Sequence, residues 1–467
     1  MGITKPLGCA VLVLLVQFLR GVHSGGMASA ISTDGMRFVD AEGRTVILRG
    51  FNVAGDAKLP DYRPLKNLTT LNDLRRFGVN VVRSLFIWEA YEGVRGVYDA
   101  SYLEYHLGVV DHLARLGIHT ILDIHQDAFS RYTLGGCGDG FPLWAIPARF
   151  SPAAPDNSLQ NCSRWGPRLV TDQPTRRVFE AFYNNEGGVR DSYLALVEHL
   201  AGVFRTRPSV IGFDLLNEPV GDEVRHVAPL YTDAAARVRG ANSSALILAT
   251  PGFLVGSGFV PTRLRPPPVD HAVFSPHFYN FVNLAGGYDF GVYTRSVLRR
   301  LLAVSRSWGE PLFLGEFGVF HGRFADLFAA DMYRFLDDNF LSGCQWSYTT
   351  NWSPDKKDGW NGEDLSVVAG GVTRGFPFTP SPRVLAGTPL VARTVPHVSY
   401  ELSWRSNGAP RTRAAEIYFP LNEFCGSNGF ATIEASPSLE CGYQDAYSLL
   451  CNQTAVAEGT LSVRVNC

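Results

Sequence analysis

The run VIGFDLLNE, residues Val210–Glu218, is an apolar stretch that ends on an amide and a carboxylate and is followed by Pro219. Its β-branched and apolar residues predict a buried strand. Because proline keeps the preceding residue out of helical geometry and cannot donate to a ladder, the strand should end here. Asn217 and Glu218 are neighbours, so both side chains reach one site only if the strand breaks its pleat at this point.

Seven further runs of this kind recur along the chain, separated by stretches with apolar residues three and four positions apart, which is typical of amphipathic helices. The eight predicted strands are Thr45–Asn52, Val79–Trp88, His119–Asp127, Val210–Glu218, Ala245–Thr250, Ala272–Tyr279, Pro311–Gly318 and Gly343–Tyr348. Eight strand–helix units predict an α/β fold, the (β/α)8 TIM barrel.

A doubly wound parallel sheet is the main alternative to the barrel, but its dinucleotide-binding form needs a glycine-rich turn after the first strand, and RGFNVAGDAKLP does not supply one. The barrel also explains where the polar residues fall, because active sites of barrels are built at the C-terminal ends of the strands. Ten polar or aromatic residues lie at such ends: Asn52, Arg83, His125, Asp127, Asn217, Glu218, His277, Tyr279, Glu316 and Trp346.

The ends of the chain predict two further units. Lys5 precedes an apolar run from Ala10 to Leu19, so residues 1–24 are expected to be a secretory signal peptide. Residues 30–381 would form the barrel. From residue 382 the helical spacing gives way to short β-like runs, which predict a small C-terminal β-sandwich domain over residues 382–467.

Composition and cysteine use indicate the compartment and the excluded partners. The chain has 467 residues, 46% of them hydrophobic, and a net charge of −2 with no basic run, which argues against a nucleic-acid partner. Seven cysteines follow the signal segment, which predicts an oxidising compartment, with Cys137 paired to Cys162, pairs among the last four, and Cys344 as the free thiol. Sequons begin at Asn67, Asn161, Asn242, Asn351 and Asn452.

Two carboxylates stand out, Glu218 after predicted strand four and Glu316 in predicted strand seven. Strands four and seven can face each other across a barrel mouth. Cleavage of a glycosidic bond requires such a pair: one carboxylic acid protonates the departing oxygen, and one carboxylate attacks the anomeric carbon.

LLNEP, PHFY and LGEFG, together with Trp346, resemble glycoside hydrolase family 5. NVAGDAKLP, DIHQDAFSR and GDGFPLWA further resemble its endoglycoceramidases, which release the intact glycan from the ceramide of glycosphingolipids. The resemblance spans about residues 30 to 467. It implies a retaining hydrolase with no cofactor and no metal, in which Glu218 is the acid/base and Glu316 the nucleophile.

The same resemblance assigns substrate-binding roles to eight further residues. Asn217 would bind the sugar hydroxyl next to the anomeric carbon, Arg83 and Tyr279 would hold Glu316, and Trp346 would form the sugar platform. His125 and His277 would line the site, and Lys58 and Asp127 would bind glycan hydroxyls. An arginine beside one carboxylate but not the other would separate the pKa values of the two.

Two local questions stay open in the sequence. Asp123, His125 and Asp127 lie on one face of a strand, which fits either a metal site or, as we favour, a hydrogen-bonded polar rim. The long segment from Phe129 to Arg190 contains Cys137 and Cys162. It is either an apolar wall or lid beside the leaving group or a stapled structural excursion.

The expected protein is therefore a secreted or lysosomal hydrolase, a monomer that acts on a glycosphingolipid at a transient membrane or micelle surface, with an activator protein or a detergent as a possible helper. The alternatives are another family 5 enzyme, such as a glucosidase acting on a steryl glucoside or an endo-β-glucanase, and a non-catalytic carbohydrate-binding protein. The joint presence of Glu218, Glu316, Asn217, Arg83 and Tyr279 argues against the last.

Overall fold

The computed structural model describes residues 30–408, 411–426 and 431–467. The predicted signal peptide, residues 1–24, lies outside the described residues. No helix in the described part of the chain is long and apolar enough to cross a membrane.

A closed barrel of eight parallel strands forms the centre of the fold, and the predicted TIM barrel is confirmed. In chain order, barrel strands 1 to 8 are Arg49–Val53, Val81–Ile87, His119–His125, Val210–Asp214, Leu246–Ala249, Ala272–Phe274 with its continuation His277–Phe278, Phe313–Gly318 and Ser342–Tyr348. Strand 8 pairs with strand 1, with Gly343 opposite Arg49, which closes the cylinder. Strand 6 is interrupted at Pro276, which has no N–H to give to a ladder.

Helices cover the outside of the barrel. The longer ones are Ala100–Arg115, Trp165–Thr171, Gln173–Tyr183, Val189–Phe204, Ala228–Ala241, Val292–Trp308 and Ala325–Asp338, and the ten-residue 3-10 helix is Leu68–Phe77. Helix Ala100–Arg115 illustrates their construction: Asp99 caps its N-terminus through the N–H of Tyr102, and Val109 and Leu113 are buried one turn apart. The helices therefore hold the strands in place by apolar packing, and the ends of the strands remain available for a functional site.

One end of the barrel interior is closed by apolar side chains. Val81, Ile211 and Phe313 share a buried cluster with Ile31 and Phe38, which precede the barrel in the chain. The rings of Phe38 and Phe313 meet edge to face at 6.4 Å. Because this end is plugged, only the end carrying the C-termini of the strands remains for a site.

Two antiparallel sheets follow the barrel, and the predicted C-terminal sandwich is confirmed. One sheet contains Ile31–Asp34, Arg37–Asp40, Thr45–Val46, Ser381–Leu385, Arg411–Tyr418, Leu439–Asp445 and Ser448–Gln453; the other contains Gly387–Val395, Ser399–Gly408, Thr432–Ala435 and Ala457–Asn466. Trp404 of the second sheet and Ile417 of the first lie in one buried core. Strands before the barrel thus complete a sheet after it, while the division at residues 381 and 382 stays a prediction.

Three disulfides staple the described chain: Cys137–Cys162, Cys425–Cys467 and Cys441–Cys451. They confirm the predicted first pair and the pairing among the last four cysteines. Cys344 is buried in the barrel interior as a free thiol. Among the sequons, Asn242 is 5% exposed and so is poorly placed for a glycan, whereas the other four asparagines are exposed.

Candidate active site

Glu218 and Glu316 lie close together at the open end of the barrel. One carboxylate oxygen of each and one ring nitrogen of His277 all lie within 4.8 Å of one another. Glu316 lies in barrel strand 7, opposite His277 of strand 6 in the parallel register. A pair of carboxyl groups this close matches the roughly 5–5.5 Å of retaining glycosidases and is closer than the roughly 6.5–9.5 Å pair that direct displacement by water requires.

The chain leaves strand geometry just before Glu218, as the sequence predicted for a shared site. Barrel strand 4 ends at Asp214, and Glu218 has a φ of 35°. The amide of Gln126 donates to the carbonyl oxygens of Asn217 and Glu218 at 2.7 and 3.3 Å and holds this turn. Asn217 and Glu218 consequently turn their side chains to the same centre, Asn217 toward Arg83 and Glu218 toward His277.

Arg83 is the hub of the site and is fully buried. Its guanidinium donates to Glu316 at 2.7 Å, to Asn217 at 2.9 Å and to Asn52 at 2.9 Å. It also pairs with Asp123 and Asp214, both at 2.9 Å. One planar fork therefore sets the positions of the carboxylate of Glu316 and the amide of Asn217 together.

The surroundings of Glu316 favour its ionised form. Burial by itself raises the pKa of this carboxyl group, but the charges of His277 and Arg83 outweigh burial and hold the pKa below its ordinary value. The hydroxyl of Tyr279 donates to the second oxygen of Glu316 at 2.7 Å. Glu316 is thus a charged carboxylate with both oxygens held.

The surroundings of Glu218 shift its pKa in the opposite direction, upward. Burial raises its pKa, the hydrogen bond and the charge of His277 offset this only in part, and the nearby charge of Glu316 adds to the rise. Nδ1 of His277 lies 2.9 Å from Glu218 and 3.5 Å from Glu316. Two carboxyl groups with pKa values displaced in opposite directions are what an acid and a nucleophile need.

A second cluster of polar side chains, which we call the polar side, lies at the C-terminal ends of barrel strands 8, 1 and 3. The ammonium of Lys58 contacts Asp127 at 2.6 Å and lies over the rings of Trp346 and Trp360 at 4.3 and 4.2 Å. The ring of His125 stacks on Trp346 with centroids 5.7 Å apart. These residues place charge, hydrogen-bond donors and an aromatic face beside one another.

Asp123, His125 and Asp127 each have protein partners. Asp123 binds Arg83 and accepts from Nδ1 of His125 at 2.6 Å, and Asp127 binds Lys58. Burial lowers the pKa of His125, but the charges and hydrogen bonds of Asp123 and Asp127 raise it to about 10. These contacts between the side chains themselves favour the polar-rim interpretation, since Asp123 is bound by Arg83 and His125, and Asp127 by Lys58.

The sequence interpretation missed three residues of this polar side: Asp139, Trp360 and Glu363. Asp139 is buried, one of its oxygens has no hydrogen-bond partner in the described structure, and burial raises its pKa well above the ordinary value. Glu363 lies 3.8 Å from Lys58, and burial raises its pKa too. All three lie in loops, where a single carboxylate or indole belongs to no periodic pattern. The only indication in the sequence is the pair Gly138 and Gly140, which flanks Asp139 and suggests that the backbone lies close to its neighbours there.

The long segment from Phe129 to Arg190 folds against the mouth. Helix Trp165–Thr171 supplies Leu169 and Val170 to a cavity of about 470 Å³. Pro219 and Val220, which directly follow Glu218, line its inner wall. The segment therefore borders the cavity that lies next to Glu218 in the chain.

Comparisons with known proteins agree with this geometry. A family model described as Cellulase (glycosyl hydrolase family 5) matches residues 39–352, more than half of the chain. Endoglycoceramidase I of Rhodococcus hoagii (strain 103S) is 31% identical over 273 residues, which are 54% of this chain and 53% of that protein. The chain spans about half the length of the curated relatives it matches.

Solved structures extend the likeness over nearly the whole chain. The lactosyl-enzyme intermediate of endo-glycoceramidase II from Rhodococcus sp. is 25% identical, with a TM-score of 0.74 over 92% of this chain and 98% of that one. Sterylglucosidase 1 of Cryptococcus neoformans is 16% identical, with a TM-score of 0.77 over 94% of this chain and 97% of that one. The second likeness is one of fold.

Proposed function

The chain belongs to glycosyl hydrolase family 5, and from that premise we propose that it is a retaining glycoside hydrolase that cleaves the β-glycosidic bond between the glycan and the ceramide of glycosphingolipids. The products are the intact oligosaccharide and ceramide. The observation that carries the chemistry is the close pair of Glu218 and Glu316, whose pKa values are displaced in opposite directions.

The reaction proceeds in two displacements. An oxygen of Glu316 forms a bond to the anomeric carbon while the bond from that carbon to the leaving oxygen breaks, and Glu218 gives its proton to that oxygen. Glu218, now a carboxylate, then takes a proton from water as the water oxygen attacks the anomeric carbon and releases Glu316. The likeness to the lactosyl-enzyme intermediate of endo-glycoceramidase II supports this order of steps.

The remaining predicted residues bind the substrate and tune the pair. Arg83 and Tyr279 keep Glu316 ionised and oriented, and Asn217, fixed by Arg83, meets the sugar hydroxyl beside the anomeric carbon. His277 bridges the two carboxyl groups. Trp346 takes the sugar face, and Lys58, Asp127 and His125 take sugar hydroxyls; these assignments are part of the proposal.

The leaving group lies on the Glu218 side, because a general acid must reach the departing oxygen. The cavity that Pro219 lines has an apolar part formed by Leu169, Val170, Phe253 and Leu254, and a charged part formed by Arg176, Glu180, Asp222, Glu223, Arg225, His226 and Arg263. We assign this side to the start of the ceramide. The segment from Phe129 to Arg190, which carries Leu169 and Val170, then serves as an apolar wall for the leaving group, as one interpretation of the sequence held.

The setting is part of the same proposal. Three disulfides suit an oxidising compartment, in line with a chain secreted or delivered to the lysosomal lumen through a signal peptide. A monomer acting at a micelle or membrane surface, with an activator protein or a detergent as a possible helper, fits a lipid substrate.

One alternative has a specific observation in its favour. The fold likeness to sterylglucosidase 1 extends over 94% of this chain, so a glucosidase acting on a steryl glucoside is the second candidate. The low identity means that this likeness concerns the fold. An endo-β-glucanase is less well supported, since the curated relatives reported above are endoglycoceramidases.

The test is to incubate the purified protein with a glycosphingolipid that carries a fluorescent ceramide and to identify both products. Release of intact oligosaccharide together with ceramide supports the proposal. Release of single terminal sugars refutes it, and so does hydrolysis of steryl glucoside or an aryl cellobioside with the glycosphingolipid left intact. Glu316→Gln in parallel excludes a contaminating activity.

A further inference from the structure

A band of exposed apolar side chains lies on the loops that follow barrel strands 5 and 6. We call it the apolar rim, and its members are Phe259, 66% exposed; Phe281, 40%; Leu284, 55%; Phe290, 76%; and Val292, 66%. The rings of Phe259 and Phe281 pack in a tilted arrangement with centroids 5.0 Å apart, and those of Phe290 and Tyr288 do so with centroids 5.1 Å apart. Scattered exposed apolar residues need no explanation, but a clustered set of this size indicates an interaction site.

The loop that carries most of the rim is held by buried polar groups. Asn280, which is fully buried, accepts from the N–H groups of Val282 and Asn283 and donates to Thr294 at 2.8 Å. Asn283 in turn accepts from the N–H of Phe320 at 3.0 Å and so ties this loop to the one after strand 7. The fold thus satisfies the polar groups of the loop internally and directs its apolar side chains to solvent.

The rim is close to the reacting groups along the chain. Phe281 comes two residues after Tyr279, whose hydroxyl donates to Glu316. Phe259 lies on the loop whose earlier part, Phe253 and Leu254, lines the cavity beside Glu218. A surface in contact with the rim would therefore lie on the same side of the active site as the cavity assigned to the leaving group.

Charged residues of both signs lie near the rim in the chain: Asp289 directly precedes Phe290, and Asp331 accepts from the hydroxyl of Tyr288. Arg295 pairs with Asp331 at 3.9 Å, whereas Arg265, Arg299 and Arg323, all exposed, have no carboxylate within 4.0 Å in the described part of the chain. The guanidinium of Arg323 lies over the ring of Phe324 at 5.2 Å. Apolar side chains bordered by unpaired cations complement an interface of acyl chains and anionic headgroups.

We propose that the apolar rim is a docking surface for a lipid bilayer with anionic headgroups. Its aromatic and aliphatic side chains enter the interface and its flanking arginines contact the headgroups. This inference rests on the proposed function, because a lipid-linked substrate is what makes such docking useful. It adds to that function the residues that deliver the active site to the membrane.

The test measures docking without catalysis. The full protein is mixed with vesicles of phosphatidylcholine and phosphatidylserine that contain no glycolipid, and the bound fraction is determined by co-sedimentation. A triple variant, Phe259→Ser, Leu284→Ser and Phe290→Ser, is expected to bind at least about 30-fold more weakly, because each side chain loses its share of buried apolar area. The matched control, Val456→Ser, alters a residue of the C-terminal sandwich that is 72% exposed and should bind as the unaltered protein does.

Both proteins are then given a soluble aryl glycoside. Equal turnover shows that the triple variant is folded; if it has lost this activity, Phe290→Ser alone replaces it, with a smaller expected loss of about fivefold. Equal vesicle binding by variant and control overturns the proposal, as does a change in self-association with vesicle binding unchanged, which would make the rim a protein interface. Docking without release of ceramide-linked glycan refutes the proposed substrate and leaves the docking surface standing.

Discussion

Barrel strands 8, 1 and 3 lead to buried polar side chains at the mouth, whereas the loops after strands 5 and 6 lead to exposed apolar ones. On the first side, Lys58 and Asp127 are each about 95% buried and in contact with each other. On the second, Phe290 and Phe259 are mostly in solvent. The two regions lie on opposite sides of the Glu218 and Glu316 pair in the strand order.

This contrast reverses the usual rule that polar groups face water and apolar groups avoid it. Buried charge is costly unless it is paired, so the polar side is stable because each charge has a partner, and a sugar with many hydroxyls can replace water there. Exposed apolar surface contributes favourable free energy only when a binding partner removes it from water. The asymmetry matches a substrate with a polar part and a lipid part joined at the bond between them.

The largest effect is expected at the centre, where both sides meet. Glu316→Gln keeps the shape and removes the charge that attacks the anomeric carbon, so turnover should fall by ~10⁴-fold or more while substrate binding persists. Turnover is measured with an aryl glycoside, and binding with a non-hydrolysable glycan analogue. Turnover within about tenfold of the unaltered protein would remove Glu316 from the role of nucleophile.

The pH profile separates the two carboxyl groups. Activity requires Glu316 ionised and Glu218 protonated, so it should fall as pH drops through the lowered pKa of Glu316 and fall again as pH rises through the raised pKa of Glu218. In Glu218→Gln, an aryl glycoside with a good leaving group needs no acid. We expect the high-pH fall in formation of the glycosyl-enzyme to disappear, with about 10² to 10⁴-fold loss on alkyl glycosides. A high-pH fall that persists in this pre-steady-state measurement would contradict the assignment.

Arg83→Lys tests whether the planar geometry of the guanidinium, rather than its charge, positions the polar side chains around it. Lysine keeps the positive charge but cannot bind Glu316, Asn217 and Asp214 in one plane. We expect kcat/KM to fall by roughly 10² to 10³-fold and the free energy of unfolding to drop by about 2–4 kcal/mol, measured by denaturant titration. Vesicle binding by the apolar rim should be unchanged, and a parallel loss of docking would mean that the two sides are not independent.

Lys58→Met removes one partner of the polar side and leaves the rim intact. Hydrogen bonds to a charged group contribute about 1.5–3 kcal/mol each, so kcat/KM for an aryl disaccharide should fall about 10 to 100-fold. The double variant Lys58→Met with Asp127→Asn removes both partners and should recover stability without recovering activity. Full activity in the single variant would show that Lys58 has only a structural role.

The sequence predicted the barrel and the strand-end residues of the polar side, such as His125, Asp127 and Trp346, because both depend on local pattern, whereas Lys58 was assigned only through the family resemblance. Each of the eight predicted strands has its counterpart, since apolar runs of four to eight residues bounded by turns indicate buried strands directly. The first, Thr45–Asn52, is divided in the structure: Thr45–Val46 pairs within a sheet of the C-terminal sandwich, and the barrel strand begins at Arg49. Once the strands are predicted, the residues at their ends, such as His277 and Glu316, are predicted to lie at the barrel mouth. The resemblance to a family then supplied roles that pattern alone does not give, and those roles stay predictions.

Pairing over long distances in the chain was not visible in the sequence. Strands Ile31–Asp34 and Arg37–Asp40 join a sheet whose other members follow the barrel, and no local period reports such a partner. Asp139 and Glu363 come from irregular loops and meet Lys58 and Asp127 only through the fold. The apolar rim was missed for a related reason, because exposure of Phe259 or Phe290 depends on packing and not on residue type.

The smallest expected effect concerns the cations beside the rim. Arg299→Gln removes one exposed charge, worth about 1 kcal/mol near an anionic membrane surface, so binding to vesicles with phosphatidylserine should weaken about fivefold at low salt. The difference should shrink as salt is raised, because the Debye length falls from ~30 Å at 0.01 M to ~10 Å at 0.1 M. Arg405→Gln, an exposed arginine of the C-terminal sandwich, is the matched control and should change nothing. If both substitutions weaken binding equally, attraction arises from overall charge, and the arginines beside the rim have no special part in docking.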